Sequence, residues 1–177
     1  MGYLLVLRAK ERRFEVVETA VADVYDGLAG EVNGYQEYFA QVMVFGGEIP
    51  LYCNENGRLI SPRPPLNAAC ALFYGGPIYG DVAAAISDYS HEEDDEGCVR
   101  YFDVDEAEFF AMLLNREIER HNQAFYDAFE KYYTENPPGT EIQYRSFSSF
   151  EEMQEQITKA REQNSRFMAD LIDRYDR

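Results

Sequence analysis

Histidine, cysteine and lysine are all scarce in this chain, and each scarcity removes a class of chemistry. Two histidines in 177 residues leave little acid–base capacity near neutral pH, where imidazole is the one side chain that titrates without help. The three cysteines, Cys53, Cys70 and Cys98, are odd in number, widely spaced and without a CxxC pair. That excludes a disulfide framework and gives no zinc site, so reduced and mostly buried thiols are expected. No run approaches the roughly 20 apolar residues that a membrane-spanning helix needs. The apolar start, Met1 to Leu7, precedes Arg8 and Lys10, the reverse of the charge order of a secretory signal. A cytoplasmic location without membrane contact is expected.

Basic charge is short as well: 33 acidic residues stand against 16 basic ones, a net charge of −17. Such a field repels phosphate backbones and anionic lipid surfaces, so direct nucleic-acid binding is disfavoured. It draws in a basic protein partner, and it also keeps a protein soluble without further purpose. Lys10, Lys131 and Lys159 are the lysines; every other cation is an arginine, a group that grips carboxylates and phosphates bidentately.

What is present is apolar and aromatic. A hydrophobic fraction of 46%, with 12 Phe and 14 Tyr, supplies enough surface to offset the chain entropy of folding. The length suits one domain with an appendage. Tyr3 to Leu7 and Arg13 to Val17 flank a charged turn and predict a hairpin, with Leu5 and Leu7 opposite Phe14 and Val16. Val21, Val24, Tyr25 and Leu28 follow one helical face that ends at Gly30. Tyr35 to Phe45 and Ile49 to Asn54 read as strands. Asn56-Gly57 predicts a tight hairpin turn at positive φ with a return strand from Arg58 to Ile60. Ser61 to Pro65 must be an extended loop. Asn67 to Tyr74 fits either a strand or a short helix, and Ile78 to Ile86 a central buried strand with Ala83, Ala84 and Ala85.

Asp103 with Glu106 has capping-box spacing, and an apolar stripe from Ala107 through Phe110, Leu114, Ile118, His121 and Phe125 to Tyr132 predicts one long helix up to Asn136. Ser149 with Glu152 opens a second, which runs almost to Arg177. Phe150, Met153, Ile157, Ala160, Phe167 and Leu171 form its stripe, with Asn164 at a heptad a position. That stripe serves either as the face of an antiparallel helical hairpin or as a homodimer seam. The fold class is therefore α+β: a mostly antiparallel sheet with a short covering helix over residues 1–102, then a two-helix appendage over residues 103–177.

No constellation for catalysis is assembled. Glu117 and His121 stand four apart without a second such pair, and no metal, cofactor or catalytic set is expected. The run Glu92, Glu93, Asp94, Asp95, Glu96 lacks the alternating ligands and central glycine of a calcium loop. With Asp103, Asp105, Glu106 and Glu108 it places nine carboxylates around the single Arg100. Carboxylates held at phosphate-like spacings can occupy a basic nucleic-acid groove on another protein, so these nine are the candidate partner-binding residues. A competing candidate is an anionic-nucleotide site built from Arg58, Arg63, Gly75, Gly76 and Tyr79, because glycines permit close approach of backbone to ligand.

The order Cys53-Asn54-Glu55-Asn56-Gly57-Arg58-Leu59, then Pro64-Pro65-Leu66-Asn67, then Ile78-Tyr79-Gly80-Asp81, resembles a small domain family of unknown function carried by phages and mobile elements of gut bacteria. The resemblance spans roughly Tyr3 to Glu119. Gly75-Gly76-Pro77 and the small alanines depart from the family's charged turn and bulkier strand, and the chain after His121 lies outside it. The family has no accepted catalytic residues to carry over. The resemblance implies a context, an accessory gene of a mobile element, and with the acidity it predicts a non-catalytic protein that binds and modulates a host protein, a defence nuclease being the case a DNA-like surface fits.

Overall fold

The structure, a computed structural model, describes residues 2–44, 47–89, 98–136 and 150–175. The chain divides into two compact units, 1–119 and 120–177.

In the first unit, strands β1 (Gly2–Leu7) and β2 (Phe14–Thr19) form the predicted hairpin, with Leu5 opposite Val16 and Leu7 opposite Phe14. β3 (Gln36–Val44) and β4 (Gly47–Asn54) form a second hairpin. The three-residue strand β5 (Val82–Ala84) joins them, pairing with β1 on one side and β4 on the other. The result is a five-stranded antiparallel sheet in the order β2-β1-β5-β4-β3. Strands alternate their side chains between faces. Leu4, Val6, Tyr52 and Ala83 therefore share one face, where Leu28 and Val32 of helix α1 (Val24–Glu31) and its end pack on them. Leu5, Leu7, Phe14, Leu51, Val82 and Ala84, all buried, take the other face, against which helices α2 (Ala71–Tyr74) and α3 (Val104–Glu119) pack. A small ribbon of β6 (Ile86–Asp88) and β7 (Cys98–Arg100) lies beside β4.

Three expectations are corrected here. Asn56-Gly57 does not make a hairpin turn, since neither residue has positive φ and no strand follows. Asn54 captures the chain instead: its side-chain oxygen accepts from the Asn56 amide at 2.9 Å and its carbonyl from the Gly57 amide at 2.9 Å. The amides of Leu59 and Ile60 then bond to Asn56, winding the chain helically. A glycine is needed at 57 for another reason: a Cβ there would stand 2.7 Å from the Tyr79 carbonyl oxygen. Gly57→Ala is expected to destabilise the unit by about 1–3 kcal/mol, measured as a lower thermal midpoint. The helix predicted from Val21 starts at Val24, because the Asp23 carboxylate accepts from the amides of Tyr25 and Asp26 and fixes the cap there.

The long helix from Asp103 is two helices. α3 stops at Glu119, and Asn122, in extended conformation with its side chain accepting from the Phe125 amide, starts α4 (Gln123–Glu135). A local Asn cap competes with continuation of the helix, and the apolar stripe alone does not reveal it. α3 packs on β1 and β2, within the first unit, which runs to Glu119.

In the second unit α4 pairs with α5 (Phe150–Tyr175). Phe167 stacks on Tyr132 at 3.9 Å between ring centroids and lies near Phe129 and Tyr133. Asn122 donates to the Tyr175 carbonyl, which sets the start of α4 beside the end of α5, an antiparallel pair. Phe167 of the heptad stripe thus faces α4, and Leu171 is buried. The Ser149–Glu152 box and the side chain of Asn164 lie outside the described residues.

Candidate functional site

Of the nine candidate carboxylates, Glu92 to Glu96, together with His91, lie outside the described residues. Their segment joins β6 to β7, whose register sets Asp88 opposite Cys98. The other four sit at the start of α3. Asp103 and Glu106 form the predicted capping box, each side chain accepting from the other's amide, at 3.0 and 2.8 Å. Glu106 also receives a two-pronged bond from Arg100, both prongs 2.7 Å. That fork, against the opposing pull of partial burial, and then the Asp103 amide hold the Glu106 carboxyl below its ordinary value of 4.5. A carboxyl with a depressed native pKa stabilises the fold fully above its unfolded value and loses that contribution as pH falls through the lower native one. Glu106→Gln is therefore expected to flatten the fall of stability with acid below about pH 4.5, followed by urea midpoints across pH. Asp105 and Glu108 stay exposed. The start of α3 is thus partly neutralised, and two of its four carboxylates do structural work.

Glu108 also lines an open groove of about 760 Å³ between β2 and α3, floored by Phe14, Val16, Ala111 and Asn115 and edged by charges of both signs. At its floor Asn115 accepts from the Phe14 amide at 2.7 Å and donates to the Phe14 carbonyl at 3.0 Å.

The nucleotide candidates are brought to one loop. Arg58 donates to the Pro77 carbonyl at 3.1 Å, and the Arg63 guanidinium stands 5.0 Å from the centre of the Tyr79 ring. Gly75 caps α2 at φ 75°, and Gly76 is buried. The family-like blocks supply structural amides. Asn54 donates to the carbonyl of Asn33 at 2.8 Å, and Asn67, fully buried, to those of Leu7 and Gly80.

Glu117 and His121 do not share a helix, because α3 ends between them. Among the described residues no group of three or more His, Cys, Asp or Glu side chains converges as a metal cage. Also among them, no helix is long and apolar enough to cross a membrane. Burial pushes the Cys53 thiol up to about 11, with Glu37 adding to it, and pushes Cys70 well up. Labelling with a disulfide reagent at neutral pH is expected to modify half-buried Cys98 first and to leave Cys53 and Cys70 untouched until the protein unfolds.

A stronger charge feature escaped the sequence reading. From Phe14 to Gly57 there is no lysine, arginine or histidine in 44 residues, against eight carboxylates. Six of these, Glu15, Glu18, Asp23, Asp26, Glu37 and Glu55, are exposed. Glu31 is bound by Arg8, which also holds Asp81. Counting the missing cations, instead of looking for crowded acids, would have found it. Comparison with protein-family models, with curated proteins and with solved structures finds no match.

Proposed function

We propose that this chain is a non-catalytic accessory protein of a phage or mobile element, acting in the cytoplasm, that binds a basic host protein and inhibits or modulates it. A host defence nuclease is the partner that an acidic, DNA-like surface fits. The observation that carries this reading is the run of 44 residues without a cation in the first unit, six of its carboxylates exposed, within a chain of net charge −17. The family resemblance supplies the mobile-element context. An anionic surface that stands in for DNA gains affinity from its partner's released counterions, so binding must weaken steeply with salt. Titration against purified basic host nucleases at low and high salt is the test. Binding that falls with salt and competes with DNA is expected; no binding, or binding indifferent to salt, refutes the reading.

A second reading has one observation in its favour, the convergence of Arg58 and Arg63 on the loop from Gly75 to Tyr79. An anionic-nucleotide binder would be stabilised by about 2.7 kcal/mol at a hundred times the dissociation constant. A thermal-shift screen with nucleoside mono-, di- and triphosphates decides this, and no shift removes it.

A further inference from the structure

Exposed tyrosines gather on the cation-free part of the first unit. Tyr38 on the edge strand β3 is 53% exposed and sits edge-on over the buried ring of Tyr52, centroids 6.1 Å apart. Tyr25, in the first turn of α1, is 40% exposed and also neighbours Tyr52: burial first, then the phenols of Tyr25 and Tyr38, push the Tyr52 phenol up to about 12. Tyr35, just before β3, is 75% exposed, and its carbonyl accepts from the Glu55 amide. Asp23 and Asp26, both exposed, flank Tyr25 in the chain, and the Asp23 carboxylate caps α1 through the amides of Tyr25 and Asp26. α1 packs on β1 and β5 as well as β3, and Glu37 and Tyr38 of the edge strand are exposed.

Such a face suits one kind of occupant. Nucleic acid and anionic membranes are repelled by it, and so is a second copy of a chain with charge −17. A cationic segment is attracted, and the aromatic rings discriminate among cations. A guanidinium is planar, weakly hydrated and stacks on a phenol while its N–H groups reach a carboxylate; an ammonium does this less well. Tyrosine and arginine are also the residues that carry most energy at protein interfaces. We infer that the face formed by α1 and the edge strand β3, where Tyr25 and Tyr38 stand exposed within the cation-free run, is the docking site for an arginine-rich segment of a partner protein. This rests on the basic-partner reading above and names its site and side-chain chemistry.

The test is equilibrium binding of an oligoarginine peptide and an oligolysine peptide of equal length at one salt concentration. The wild type, Tyr25→Ala/Tyr38→Ala, Tyr25→Phe/Tyr38→Phe and Asp105→Asn/Glu108→Gln are compared, each with its melting curve. Tighter binding of the arginine peptide is expected, weakened at least about tenfold by the alanine pair and nearly kept by the phenylalanine pair. Equal affinity for the two peptides overturns the inference, and this comparison needs only the wild type. If arginine binding is lost in Asp105→Asn/Glu108→Gln and unchanged in the alanine pair, the site is wrong while the basic-partner reading stands. If neither peptide binds, both fall. Self-association that the alanine pair abolishes would assign the face to a second copy and overturn the inference too.

Discussion

Replacing Asn115 by leucine is expected to lower the unfolding free energy by about 2–6 kcal/mol, since it leaves two buried main-chain groups unpaired at roughly 1–3 kcal/mol each. Asn115 reaches across 101 positions of sequence to bond both the amide and the carbonyl of Phe14, as a neighbouring strand would. Phe14 is buried, and among the described residues no further strand lies beyond β2 to take those bonds over. The loss should appear as a lower urea midpoint at an unchanged slope, because the surface exposed on unfolding stays the same. Asn115→Asp keeps the acceptor for the Phe14 amide but turns a carboxylate oxygen toward the Phe14 carbonyl, and it should cost at least as much. A loss under about 1 kcal/mol for the leucine variant would mean that water in the adjoining groove replaces the amide.

Phe129→Ala should melt the helix pair. Phe129 is fully buried in the second unit and touches Tyr133 and Phe167. Removing a buried phenylalanine costs about 3–5 kcal/mol, and a unit of this size has little margin. α4 and α5 hold 13 and 26 helical residues against 16 in α3, so the far-ultraviolet helical signal should fall by more than half and proteolysis should begin after Glu119. A variant that keeps its helical signal and melting curve would show that the aromatic stack is not the main support of the pair.

The parts of this fold that were legible are those whose signal is local and periodic. The alternation in β1 and β2 gave their register, the aromatic and β-branched run gave β3, and Asp103 with Glu106 gave the start of α3. The misreadings have a common cause in asparagine and aspartate side chains, Asp23 moving the start of α1 to Val24. Asn54 diverts Asn56-Gly57 from a hairpin turn, Asn122 ends a helix that the apolar stripe would continue, and Asn115 ties α3 to β2. Each acts through a hydrogen bond to backbone that hydrophobic pattern does not encode. The candidate surface was harder still. Crowded acids near Asp103 stand out by eye, yet there Arg100 neutralises Glu106. The cation-free run from Phe14 to Gly57 spreads its acids thinly over β2, α1, β3 and the chain around β4, so no local crowding marks it.

The shortest strand of the sheet also governs when the sheet can exist. Val82 to Ala84 sits between two hairpins that are complete by Asn54. During synthesis, each hairpin can pair within itself as it leaves the ribosome, but they remain separate ribbons with bare inner edges until residue 84 emerges. Closure then places β1 beside a strand some 80 residues later in one cooperative step, a slow kind of event because of the loop it must close. A nascent chain arrested before Val82 is accordingly expected to offer both inner edges to chaperones, while one that extends past Glu119 holds every described strand and helix of the first unit.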